Sequence, residues 1–216
     1  EPSGSDSQQV VQVVGSYYTV GKNLFTNNAS ASCDTAADGV ETAPAAIATE
    51  GFSTGTLCAY GHAAWFGLGV KANHSLTLEV TAQNEQGFAT TAKAMPVIGV
   101  WSATDARGSL PSVAAVGAAF NGSAIGMTAV TISNAQSRQL RIAIADQRGD
   151  GRPDFVYRLR VLSADAVSPA NIGAVGGEVT ITGIGFSPGN VVTVDGVEAT
   201  VSSWTATSIV ATVPSS

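Results

Sequence analysis

The stretch Ser168-Pro169-Ala170-Asn171-Ile172-Gly173-Ala174-Val175-Gly176-Gly177-Glu178-Val179-Thr180-Ile181-Thr182-Gly183-Ile184-Gly185-Phe186 decides the reading of this chain, together with Val192-Thr193-Val194-Asp195-Gly196-Val197-Glu198-Ala199-Thr200-Val201 just behind it. Asp195-Gly196 is a strong two-residue hairpin signal, because the turn that suits strand twist needs positive φ at both central positions. The valines on either side supply the paired strands. These residues announce a β module and carry no reaction.

Working back from this stretch, the same period-two alternation recurs. Phe66, Leu68 and Val70 share one face of a strand over 64–70, with Trp65 on the other. Leu76, Leu78 and Val80 do so over 75–81, and Pro96-Val97-Ile98-Gly99-Val100-Trp101 reads as a further strand. From Arg138 to Leu162, Leu140, Ile142 and Ile144 alternate with Arg141, Ala143 and Ala145. After a turn, Phe155, Tyr157, Leu159 and Val161 alternate with Arg158 and Arg160. This segment is read as an antiparallel hairpin with both apolar rows inward and the arginines on a solvated outer face. Residues 27–55 read as a long loop with short strands.

Composition agrees with strands. Hydrophobic residues make up 44% of the 216, charged residues only 12%, against the usual quarter. Long surface helices need more charge than that on their wet face. A net charge of −6 with three lysines, Lys22, Lys71 and Lys93, argues against nucleic acid, which is bound by arrayed cations. No run of eighteen apolar residues suggests a membrane span. The opening Glu-Pro-Ser-Gly-Ser-Asp-Ser-Gln-Gln has no apolar leader, so the chain is either cytosolic or numbered after removal of one. Cys33 and Cys58 are the only cysteines. One bridge between them would stabilise the fold by roughly 3 kcal/mol in an oxidising compartment, and this favours a secreted, periplasmic or cell-surface location.

The C-terminal positions Pro169, Gly176, Gly177, Val179, Ile181, Gly183, Phe186, Val194, Gly196, Ala199, Ile209 and Val213-Pro214 resemble the IPT/TIG family of immunoglobulin-like β-sandwich modules. Such modules run about thirty residues further, so the resemblance implies an incomplete module and further domains in a longer chain. Trp65-Phe66, the strands Leu76–Thr81 and Pro96–Trp101, and Tyr157–Val161 resemble bacterial prepeptidase C-terminal-type domains. That resemblance implies a jelly-roll-like sandwich. The expected organisation is all-β: a disordered lead at 1–9, a β-sandwich at 10–162, a linker at 163–168 and an IPT/TIG module at 169–216.

The turn at 146–154 is the strongest chemical candidate. Asp146, Asp150, the Arg152 carbonyl and Asp154 fall at positions one, five, seven and nine of a calcium-type loop, a spacing that converges oxygens at about 2.4 Å. Arg148 stands at position three, where an oxygen is wanted, so the preferred reading is a solvated hairpin turn with no cofactor. Trp65 and Tyr60 are candidate sugar-stacking rings, and Trp204 is read as core. Only His62 and His74 could serve a Ser/His/Asp triad, and no Gly-x-Ser-x-Gly elbow is present. The expected function is therefore non-catalytic: an accessory or adhesion module of a larger extracellular protein, binding polysaccharide or protein. An accessory region of a secreted hydrolase and a structural spacer are the alternatives.

Overall fold

The computed structural model describes residues 39–84, 86–104, 117–120, 126–134 and 136–215, with 117–120 described as backbone. The expected lead at 1–9, the first strands after it and Cys33 lie outside the described residues. Among those described there is no helix. The strands are β1 (Ala45–Ala46), β2 (Phe52–Thr56), β3 (Ala63–Val70), β4 (His74–Gln83), β5 (Pro96–Ser102), β6 (Gly117–Phe120) and β7 (Met127–Asn134). They continue with β8 (Arg138–Asp146), β9 (Val156–Ser168), β10 (Gly177–Ile184), β11 (Thr193–Val194), β12 (Val197–Glu198), β13 (Thr200–Trp204) and β14 (Ser208–Val213).

Two sheets enclose the main core. One runs β1-β3-β8-β5-β6, and the other runs β13-β14-β10-β9-β4-β7 with β2 also paired to β9. The period-two rows meet between them. Ala64, Phe66, Ile98, Val100, Leu140, Ile142 and Ile144 come from the first sheet; Leu76, Leu78, Val80, Tyr157, Leu159 and Val161 come from the second. The alternation in β4 and β9 is clean because only one face of each is buried.

The first sheet behaves differently. β5 is buried from Pro96 to Trp101 and β8 from Leu140 to Asp146. A second cluster of Ala63, Trp65, Val97, Trp101, Ala143 and Ala145 occupies its other face. Arg141, expected on a solvated stripe, is buried there and pairs with Glu41 at 3.1 Å.

Three further expectations change. β8 and β9 are not a hairpin: β8 pairs β3 and β5, while β9 pairs β2, β4 and β10. The turn carries the chain from one sheet across to the other, so both apolar rows do face the core, but from opposite sides. Periodicity fixes which face is apolar and says nothing about which strand lies alongside. Residues 163–168, expected as a linker, are the second half of the thirteen-residue β9. Trp204 is 46% exposed, not core.

The C-terminal module hangs from that second half. β10 pairs β9 from Thr180↔Ser168 to Ile184↔Ser163, β14 pairs β10, and β13 pairs β14. Asp195 (φ 49°) and Gly196 (φ 81°) form the expected positive-φ turn between β11 and β12. Val179, Phe186, Ala199, Ile209, Ala211 and Val213 make a small separate core, with Leu162 of β9 packed against it.

Candidate functional site

The turn at 146–154 is closed by cations. The Asp146 carboxylate is buried and receives both Arg148 Nε and Nη2 at 3.0 Å. It also accepts the backbone N–H of Met95 at 2.6 Å and of Arg148 at 2.9 Å. The fork on Asp146 raises the Arg148 pKa further above its usual value. Asp154 is taken by Lys93, whose hydrogen bond holds its pKa below the usual carboxylate range, with Arg152 Nε at 3.6 Å. Asp150 caps the N–H of Gly151 at 2.9 Å. Asp146, Asp150 and Asp154 therefore share one turn, but Asp146 and Asp154 face cations within it. Among the described residues no group of three or more His, Cys, Asp or Glu is arranged to hold a metal ion. Arg148, at the position where a calcium loop wants an oxygen, donates to Asp146 instead.

Trp65 points away from the main core, as its register implies. It is nevertheless 1% exposed, with its ring centroid 5.7 Å from that of Trp101. Its ring is enclosed in the cluster on that face of the first sheet. Tyr60 is 46% exposed in the loop after β2. Cys58 lies in the same loop, and its N–H donates to His62 Nδ1 at 3.1 Å. Burial pushes the pKa of His62 below 6.5, as expected for an imidazole whose cationic form would be desolvated.

The arrangement that sequence reasoning missed is the joint at Val161. On one edge of β9, β2 pairs as far as Phe52↔Arg160 and β10 takes over from Ser163. The Glu50-Gly51 turn fills the handover: Val161 N–H donates to Gly51 O at 2.8 Å, and Gly185 N–H donates to Glu50 O at 2.9 Å. The two strands abut so closely that a Cβ on Gly185 (φ +74°) would lie 2.0 Å from Val161 O. One on Gly51 (φ +82°) would lie 2.6 Å from the Gly185 nitrogen. Positive φ and missing side chains are both required here.

Arg160 locks this joint. Its Nε donates to Gly185 O at 2.6 Å, Nη1 approaches Glu79 Oε2 at 3.3 Å, and Nη2 donates to Asn190 Oδ1 at 2.9 Å. Asn190 Oδ1 also accepts the Ser187 N–H at 2.7 Å. One guanidinium thus ties β4 to the loop after β10, a use of the planar fork that a lysine could not match. Arg158, on the same outer face, stacks over the Phe52 ring with 4.3 Å from its central carbon to the centroid.

Beyond the joint the C-terminal module is open. Ile172, Val194, Val197, Val213 and Pro214 line a shallow groove, and Val175 (87%), Val191 (64%) and Val197 (55%) are exposed. Residues 162–216 match the family model of the IPT/TIG domain. The match begins inside β9, so the IPT/TIG module and the sandwich share a strand. A solved structure of the pre-peptidase C-terminal domain of a collagenase from Bacillus anthracis is also similar. It has 15% identity and a TM-score of 0.37, covering 54% of this chain and 92% of that one. A likeness of this size carries no functional argument. No curated protein matches the chain. No helix among the described residues is long and apolar enough to cross a membrane.

Proposed function

We propose that this chain is a non-catalytic accessory unit of a larger secreted or cell-surface protein, and that it presents the IPT/TIG module rigidly to a protein or polysaccharide partner. The observation that carries this reading is the shared strand β9. It fixes the module to the sandwich through backbone pairing, Arg160 and the Gly51–Gly185 contact, leaving the module's apolar groove outward. Exposed apolar surface rimmed by polar residues suits association. The chemistry of the two histidines supports the non-catalytic part. His62 is buried, and both ring nitrogens of His74 lie on backbone carbonyls.

The turn at 146–154 is structural in this reading, and a rise in melting temperature on adding millimolar calcium would overturn that. A Cys33–Cys58 bridge belongs to the same picture. In its support, no free cysteine occurs among the described residues, and two titratable thiols in denatured, unreduced protein would remove it. The binding role is tested with a glycan array and a panel of extracellular proteins. Binding lost on Val197→Asp but kept on Tyr60→Ala places the partner on the IPT/TIG groove, and the reverse pattern places it at the Tyr60 loop. Failure to bind any member, with both variants folded, leaves a spacer and sinks the reading.

A further inference from the structure

On the other edge of β9, pairing with β4 ends at Thr77↔Leu162. Past that point the first residues of β4 reach the C-terminal half of β9 with side chains instead. Ser163 Oγ donates to Ser75 O at 3.2 Å, Lys71 Nζ pairs with Asp165 Oδ2 at 3.1 Å, and His74 Nε2 lies 3.1 Å from Asp165 O. The second ring nitrogen, Nδ1, lies 2.8 Å from Ala72 O. The turn that carries His74 is itself fixed. Asn73, at φ 60°, donates its N–H to Asn134 O at 2.6 Å, and Ala72 N–H donates to Ser137 Oγ at 3.0 Å.

A carbonyl oxygen only accepts. A neutral imidazole has one N–H and one lone pair, so it can satisfy one of these two carbonyls and must turn a lone pair toward the other. Only the imidazolium donates to both. We propose that His74 is a proton-operated clamp between the sandwich and the IPT/TIG module, closed when the ring is cationic and loosened when it is neutral.

The surrounding charges are few. Lys71 comes from the same turn and opposes the cation, while Asp165 on β9 favours it. Arg138 at the start of β8 is held on Asn134 Oδ1 at 3.0 Å. β10 contributes Ile184 to the small cavity here, and no charge. The two carbonyl contacts outweigh the neighbouring lysine, and the His74 pKa stands above the ordinary 6.5. Because the folded-state value is raised, the clamp's contribution is complete below pH 6.5 and is lost as pH rises through the folded-state pKa.

The test uses the whole chain. Ring-nitrogen NMR should show His74 titrating above 6.5 with both N–H protons shielded from exchange at low pH. Amide exchange over 163–184, corrected for its intrinsic pH dependence, should speed up several-fold across the same interval in the parent and stay flat in His74→Gln. Lys71→Met should move the midpoint upward, since it removes the opposing charge, while retaining the effect. A His74 midpoint at or below 6.5, or identical pH dependence in His74→Gln, would overturn the clamp. The residue is partly exposed, so both variants are expected to fold, and circular dichroism checks this.

Discussion

The sandwich and the IPT/TIG module are built from the same short, alternating strands, yet they reach stability by different routes. The sandwich closes one sheet over another, and Leu78, Ile142, Tyr157, Leu159 and Val161 are wholly buried between them. The module sets a single sheet against a hairpin and loops, and leaves Val175, Val191, Val197 and Trp204 in solvent. A sheet covered only in part gains less from burial than one closed by a second sheet. What it lacks in core it makes up at an edge, by continuing a strand whose other half is already fixed. An open module can thus be held as firmly as a closed one, provided its first strand belongs to its neighbour.

That comparison breaks most forcefully at Tyr157. Truncation to Ala in the shared strand should cost about 3–5 kcal/mol, and urea unfolding should shift both modules together as one transition. Two separated transitions would show that β9 does not couple them. Next comes Gly185→Ala, which meets Val161 O and an unfavourable φ. A loss of about 3 kcal/mol is expected, with faster amide exchange in β10 than in β4. Equal loosening of both strands would contradict a local joint. Arg160→Met should cost about 2 kcal/mol, the scale of hydrogen bonds to a charged group, and raise protease sensitivity over 185–190.

The smallest effect separates the two regions by pH. His62 sits in the sandwich with a lowered pKa. Its contribution is complete above 6.5 and is lost as pH falls, because the unfolded chain takes up the proton more readily. Melting temperature should therefore decline on acidification, and His62→Gln should flatten the decline. An unchanged slope in that variant would assign the acid sensitivity elsewhere. The joint, through His74, should respond with the opposite sign.

How much of this was legible follows from what alternation encodes. Leu76, Leu78 and Val80 against Thr77 and Glu79 marked a strand with one wet face, and the structure keeps it. Asp195-Gly196 specified its turn because the backbone conformation is written in those two residue types. The pairing of β8 with β3 and β5 was not legible, since an inward row looks alike whichever sheet it faces. Nor was the burial of Trp65 and Arg141, because period-two alternation does not say whether a strand's second face is also enclosed. Ser163–Ser168 looked like a linker because Ser-Ala-Asp-Ala is small and polar. The residue types suit an exposed strand, paired along one edge to β10 and reached from the other by the side chains of Lys71 and His74. The spacing of Asp146, Asp150 and Asp154 was visible, but not that Lys93, from outside the turn, takes Asp154.

The handover at Val161 has a mechanical side. A pull between the sandwich and Val213 runs nearly parallel to β9, β10 and β14, whose mutual hydrogen bonds lie across that direction. The bonds between those strands must then slide past one another as a group instead of parting one by one. Tension delivered through the IPT/TIG module would load the Arg160 fork together with those bonds.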